Sequence, residues 1–164
     1  MLLDPYDNLG AFSGRIRVAV PRMGVGEHSA NALAMVMHEL ATNSVKHGAL
    51  SSEVGSLDIS GAMHDEERRL IWAETGGPQI TYVPQMQGFG SVMILQLAKS
   101  ELGGFVEYDW QHPGLVATVC AQVKLLKNSC VISCTIYFAR TRGSGLLFMD
   151  GEHYAEKTDT SVSH

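Results

Sequence analysis

Arg15–Val20 reads RIRVAV, with apolar and polar positions alternating at the period of two that a half-buried strand requires. Pro21 to Glu27 breaks the alternation. From about His28 to His47 the period lengthens to that of a helix. At ~100° per residue, Leu33, Val36, Met37, Leu40 and Ser44 share one broad face, while Glu39, Thr42, Asn43 and Lys46 share another. Ser29 stands where an N-cap belongs and Gly48 where a C-terminal cap belongs. Ser56–Ser60 and Arg69–Glu74 then read as two strands of a hairpin, joined by a polar turn around His64-Asp65-Glu66-Glu67. Gly76-Gly77-Pro78 ends the second strand, and an irregular loop runs from Pro78 to Gln87. Gly88-Phe89-Gly90 leads into a helix from about Ser91 to Leu102, with Val92, Leu95, Leu97 and Ala98 available for packing. Two more strands follow, Phe105–Trp110 and Leu115–Val123, divided by the turn His112-Pro113-Gly114.

The order is strand, long helix, two strands, loop, helix, two strands. It predicts an α+β sandwich with helices on one face of a sheet, not the strict βαβ alternation of a dinucleotide-binding domain. Residues 1–124 form the expected domain, and residues 125–164 a C-terminal extension without an assigned role. Within the extension, Val131–Phe138 reads as a strand, Gly143-Ser144-Gly145 as a turn and Leu146–Met149 as a short strand. The last dozen residues are rich in Glu, Asp, Ser and Thr, which predicts disorder.

Composition narrows the class. The chain has 164 residues, of which 45% are hydrophobic and 18% charged, enough for one soluble domain with its own core. Seventeen acidic residues outnumber 12 basic ones for a net charge of −5, and the basic residues are scattered, which argues against a nucleic-acid-binding surface. No apolar run is long enough to span a bilayer. The N-terminus MLLDPYDNLG carries acids where a secretory signal would carry Lys or Arg, so a cytoplasmic protein is expected. Cys120, Cys130 and Cys134 are odd in number and form no CxxC pair, consistent with apolar packing residues in a reducing compartment.

Candidate chemistry begins on the long helix. Steps of three and four place Glu39, Thr42, Asn43 and Lys46 on one face. A carboxylate, a carboxamide oxygen and an ammonium together suit a hydrated Mg²⁺ with phosphates, because Mg²⁺ takes oxygen ligands and keeps several waters. The same spacing also fits a plain solvated face. His38-Glu39 starts the zinc-protease pattern HExxH, but Thr42 holds its fifth position, so zinc is ruled out there. Gly88-Phe89-Gly90-Ser91 precedes a helix whose free N–H groups and dipole favour an anion, although neither a third glycine at dinucleotide spacing nor a GK[ST] is present. It fits a tight helix entry equally well. Glu74, leaving a strand beside Thr75-Gly76-Gly77, could accept a hydrogen bond from an adenine amino group or simply end the strand.

The order of these signals is more specific than any one of them. His38-Glu39-Leu40-Ala41-Thr42-Asn43-Ser44-Val45-Lys46-His47-Gly48-Ala49-Leu50-Ser51 closely resembles the N box of the HWE histidine kinases. Trp72-Ala73-Glu74-Thr75-Gly76-Gly77-Pro78 is similar to their first glycine box, and Gln87-Gly88-Phe89-Gly90-Ser91 to their second. His38, Trp72 and Glu74 would be the three residues that name the family. The resemblance runs from about Ile16 to Val123 and includes Leu102-Gly103-Gly104 and Pro113-Gly114-Leu115.

This resemblance implies a Bergerat (GHKL-type) ATP-binding fold: a two-layer α/β sandwich with a mixed, mostly antiparallel sheet. It implies ATP and Mg²⁺ as cofactors and transfer of the ATP γ-phosphoryl to a histidine. Asn43 would ligate Mg²⁺, Glu39 would hold the ion or its water, and Lys46 would contact phosphate. Glu74 takes the place of the Asp that reads adenine in most relatives, while Gly76, Gly77, Gly88, Phe89, Gly90 and Ser91 would border the nucleotide. His38 and His47 would support the site, and Trp72, on a strand, is a core residue. The family keeps its acceptor histidine on an upstream helical dimerisation segment. Only 37 residues precede His38 and they contain a single further histidine, His28, without a helical hairpin. The acceptor is therefore expected from another domain or chain, with a response regulator downstream, and whether the domain forms a homodimer stays open. His47 stands where an aromatic residue is commoner, and Pro78–Gln87 is short for an ATP lid. A degenerate Bergerat domain, docking a response regulator without turnover, remains the alternative. A related ATPase or serine kinase would carry an Asp-led glycine box.

Overall fold

The computed structural model describes residues 14–21, 24–25, 27–64, 67–80, 88–111, 114–122, 132–141 and 144–153. Its elements are β1 (Ile16–Ala19), β2 (Gly24–Val25), α1 (Glu27–Lys46), β3 (Ser56–His64), β4 (Glu67–Thr75), α2 (Phe89–Ser100), β5 (Phe105–Gln111), β6 (Gly114–Gln122), β7 (Ile132–Thr141) and β8 (Ser144–His153). A 3₁₀ turn, Ala49–Ser51, follows α1. The loop expected from Pro78 to Gln87 lies outside the described residues from 81 onward, as do Cys130 and the chain end beyond 153.

Five strands form one sheet in the order β1-β3-β4-β6-β5. β1 runs parallel to β3, a pairing that needs a crossover, and α1 supplies it. The other three pairings are antiparallel. Register aligns one face across the whole sheet: Val18 lies opposite Ile59, Ile59 opposite Trp72, Trp72 opposite Ala117 and Ala117 opposite Tyr108. Period two does the rest, because Leu57, Leu70, Val119 and Val106 point the same way. Against this face pack Val36, Met37 and Leu40 of α1 and Ile94 and Ala98 of α2, completing the core. The opposite face carries polar pairs such as Arg17–Asp58 at 3.5 Å, too exposed to contribute much stability.

The helix face expected on α1 is the buried one: Val36, Met37, Leu40 and Ser44 are at most 2% exposed. Ser29 is not the N-cap. It lies inside the helix, buried, and its hydroxyl donates to the Glu101 carbonyl at 3.1 Å, tying α1 to the end of α2. On α2 the buried residues are Ile94 and Ala98, whereas Val92 (53%) and Leu95 (40%) face solvent. α2 begins two residues earlier than expected and is apolar nearly all round, so its composition does not select a face. The Arg15 guanidinium donates to the carbonyls of Ser52 and Gly55, holding the connection into β3.

The tail strands expected near 131–138 and 146–149 are present and longer. β7 and β8 form a hairpin, and β7 pairs with β2 through Gly24↔Ser133 and Val25↔Ile132. Among the described residues no helix is long and apolar enough to cross a membrane. Cys120 is a free, buried thiol, and burial pushes its pKa up.

Met37 is fully buried while Val54 is 81% exposed. Met37→Ala should therefore lower unfolding free energy by about 2–5 kcal/mol in urea titration, and Val54→Ala by no more than ~0.5 kcal/mol.

Candidate functional site

Two side-chain clusters lie between the helices and the sheet. The first is centred on Glu74. Strand alternation puts Trp72 and Glu74 on the same face of β4, and both are buried. Trp72 is 0% and Glu74 5% exposed. Trp72 Nε1–H donates to Glu74 Oε1 at 2.9 Å, and the Ala49 N–H donates to Oε2 at 2.7 Å. A carboxylate in an apolar layer is costly unless its oxygens are hydrogen-bonded, and here both are. The Ala49 donor exists because α1 stops at Lys46 and the chain turns into the 3₁₀ segment, exposing an N–H at its start.

Gly48 makes this contact fit. It is not a left-handed cap, since its φ is −99°. A Cβ there would instead overlap Glu74 Oε2 and press on the Ser44 backbone. Gly77 packs on the same turn: a Cβ would lie 2.8 Å from Ala49 Cα. Gly76 has φ +71°, a conformation that glycine adopts without strain, and sits against the Val54 carbonyl.

The second cluster joins α1 to the start of α2. Glu39 and Asn43, one turn apart, approach each other with Asn43 Nδ2 at 3.5 Å from Glu39 Oε1, a long contact. A Cβ at Gly90 would overlap the Glu39 carboxylate, so Gly90 lets the side chain reach the first turn of α2. The N-cap of that helix is Gly88, which has no side chain to cap it, and among the described residues its N-terminal dipole is left to neighbouring charge. Among the described residues nothing lies within 4 Å of a Cβ built at Gly88, Phe89 is 86% exposed, and Ser91 is half-buried. The Thr42 hydroxyl is taken by the His38 carbonyl at 2.8 Å. His38, Lys46 and His47 are exposed along α1 and at its end. Among the described residues no group of three or more His, Cys, Asp or Glu converges on a metal position. An ion at Glu39 and Asn43 would thus draw its remaining ligands from water and phosphate, which is how Mg²⁺ is commonly held.

Tyr108 was not singled out in the sequence, yet it shares the helix-facing side of β5 with Val106. Its ring stacks on Trp110 with centroids 5.9 Å apart. Burial pushes its hydroxyl up to about 12, and the Glu39 carboxylate adds to the rise. The alternation Val106, Tyr108, Trp110 was the available signal.

Comparison with known proteins decides the family. Blue-light-activated histidine kinase 1 of Erythrobacter litoralis is 36% identical over 124 residues, covering 74% of this chain and 34% of its own length. The chain belongs to the histidine kinase family. Blue-light-activated histidine kinases of Brucella ovis and Brucella abortus are 31% identical over 125 residues, again 74% of this chain but 25% of their own. The chain thus spans a quarter to a third of the length of the curated relatives it matches. The chain shares its fold with the histidine kinase domain of the Erythrobacter litoralis EL346 protein, at TM-score 0.58 and 16% identity, covering 73% of this chain and 58% of that one. The catalytic domain of histidine kinase ThkA matches at TM-score 0.50 and 15% identity, over 66% of this chain and 80% of that one. No family model matches the chain.

The two glycine contacts should respond differently to the same change. Gly48→Ala displaces Glu74 and strands the Ala49 and Trp72 donors, each costing about 1–3 kcal/mol, so the urea midpoint should fall sharply. Gly90→Ala meets only the movable end of Glu39 and gains up to about 1 kcal/mol of helix propensity, so its midpoint should hold or rise.

Proposed function

We propose that this domain binds ATP with Mg²⁺ and transfers the γ-phosphoryl to a histidine supplied by another domain or chain. The phosphate would then pass to a response regulator. The observation that carries the reading is the meeting of the Glu39 carboxylate with Gly90 at the N-terminus of α2, where the N-cap is a glycine. A helix N-terminus attracts phosphate, but a carboxylate beside it repels phosphate unless a cation stands between them. Glu39 and Asn43 offer the oxygen donors for that cation. When bound, Mg²⁺ neutralises phosphate charge and polarises the transferring group.

The remaining roles belong to the chain. Lys46 neutralises phosphate from the last turn of α1. Glu74 accepts a hydrogen bond from the adenine amino group, and Gly76 and Gly77 keep the adjacent turn slim enough for the base. Gly88, Phe89 and Ser91 border the phosphates at the α2 end, with His38 and His47 supporting the α1 side. Between Glu39 and Lys46 the helix rises about 10 Å at ~1.5 Å per residue, the scale of a nucleoside triphosphate. Residues 1–124 constitute the catalytic domain in this reading, and residues 125–164 an extension of it.

Incubation with γ-labelled ATP, Mg²⁺ and a histidine-bearing dimerisation domain tests the proposal. Label should reach the partner in an acid-labile, alkali-stable form, and Asn43→Ala should cut the rate at least a hundredfold without changing the melting temperature. Nucleotide binding without any transfer would favour the docking module.

A further inference from the structure

We propose that Trp72 is a positioning residue for base selectivity, presetting the Glu74 carboxylate that reads the purine. The inference rests on Glu74 being the adenine reader and assigns to Trp72 a role beyond packing.

A fully buried indole N–H must find an acceptor, and that of Trp72 finds Glu74 Oε1 at 2.9 Å. The second oxygen is fixed from another direction by the Ala49 N–H at 2.7 Å. Glu has three side-chain torsions, so a single donor would leave its carboxylate free to swing. Two donors on opposite oxygens fix the plane of the group. Gly48 supplies the room in which Oε2 sits, so the fixed position is also a sterically permitted one.

The consequence is chemical. Both donors come from the protein, and each oxygen keeps lone-pair capacity for one further donor. A purine with a 6-amino group can supply that donor. A 6-oxo purine sets an acceptor against an acceptor in a buried setting, which sites of this kind reject strongly. Trp72 and Ala49 thereby make Glu74 a discriminator between adenine and hypoxanthine or guanine. Trp72 itself touches no ligand.

The test measures the ratio of ADP to IDP affinity by calorimetry, using the full chain. Trp72 is replaced site-specifically by 3-benzothienylalanine, which keeps the bicyclic shape and removes only the N–H; Trp72→Phe provides a second variant. Selectivity should fall roughly tenfold, the worth of one lost charge-assisted hydrogen bond, while binding of inorganic tripolyphosphate stays unchanged. An equal loss for ADP, IDP and tripolyphosphate, or unchanged selectivity, would overturn the proposal. Glu74→Gln separates it from the reading beneath it. If Glu74→Gln loses selectivity and the Trp72 variants keep it, Trp72 is only core. If Glu74→Gln keeps selectivity too, Glu74 does not read the base. Independently of any variant, the Trp72 indole ¹H–¹⁵N resonance of the unmodified chain should shift with ADP and not with IDP; equal shifts would contradict the assignment.

Discussion

The Glu74 carboxylate, buried at the end of β4 between the Trp72 indole and the Ala49 amide, is the constraint around which the domain is arranged. It is the one carboxylate among the described buried residues. It joins the sheet to the segment where α1 ends, two parts of the chain 25 residues apart. Hydrogen bonds to a charged group contribute about 1.5–3 kcal/mol each, so the pair offsets much of the cost of burying the group. Around it Gly48 and Gly77 have no room for a side chain. The same packing that stabilises the sandwich therefore sets the orientation of a polar group inside it.

The second constraint is the approach of α1 to α2. Ser29 fixes one end by donating to the Glu101 carbonyl, and Gly90 permits Glu39 to reach the other. Helix-helix packing thus decides the position of Glu39 and Asn43 relative to the α2 N-terminus. The side-chain oxygens of Glu39 and Asn43 and the N-terminus of α2 meet there because the core of Val36, Met37, Leu40 and Ile94 holds the two helices together. The proposed chemistry of positioning and charge neutralisation depends on that rigidity.

What could be read from the sequence was what depends on neighbours in the chain. The strand pair around His64 and Glu67, the buried face of α1 and the order of elements all follow from local period and turn residues. Contacts between distant residues were not legible. Gly48 reads as a helix stop, but nothing near it announces that a carboxylate from β4 will occupy the space of its Cβ. Ser29 looks like a cap because its true partner lies 72 residues away. Val92 and Leu95 look like packing residues because α2 is apolar on most sides. The candidate site was legible as residues and motif order. Its division into a Glu74 cluster and a Glu39 cluster, and the burial of Tyr108 on the helix-facing side of β5, required three dimensions.

If α1, α2 and the sheet together hold a Mg²⁺-nucleotide complex, as proposed, calorimetric titration of the purified chain with a non-hydrolysable ATP analogue will register it. Affinity should be at least tenfold higher with Mg²⁺ than with a chelator present. Equal affinity in the two conditions, or no binding at millimolar analogue by a chain shown to be folded, would contradict it.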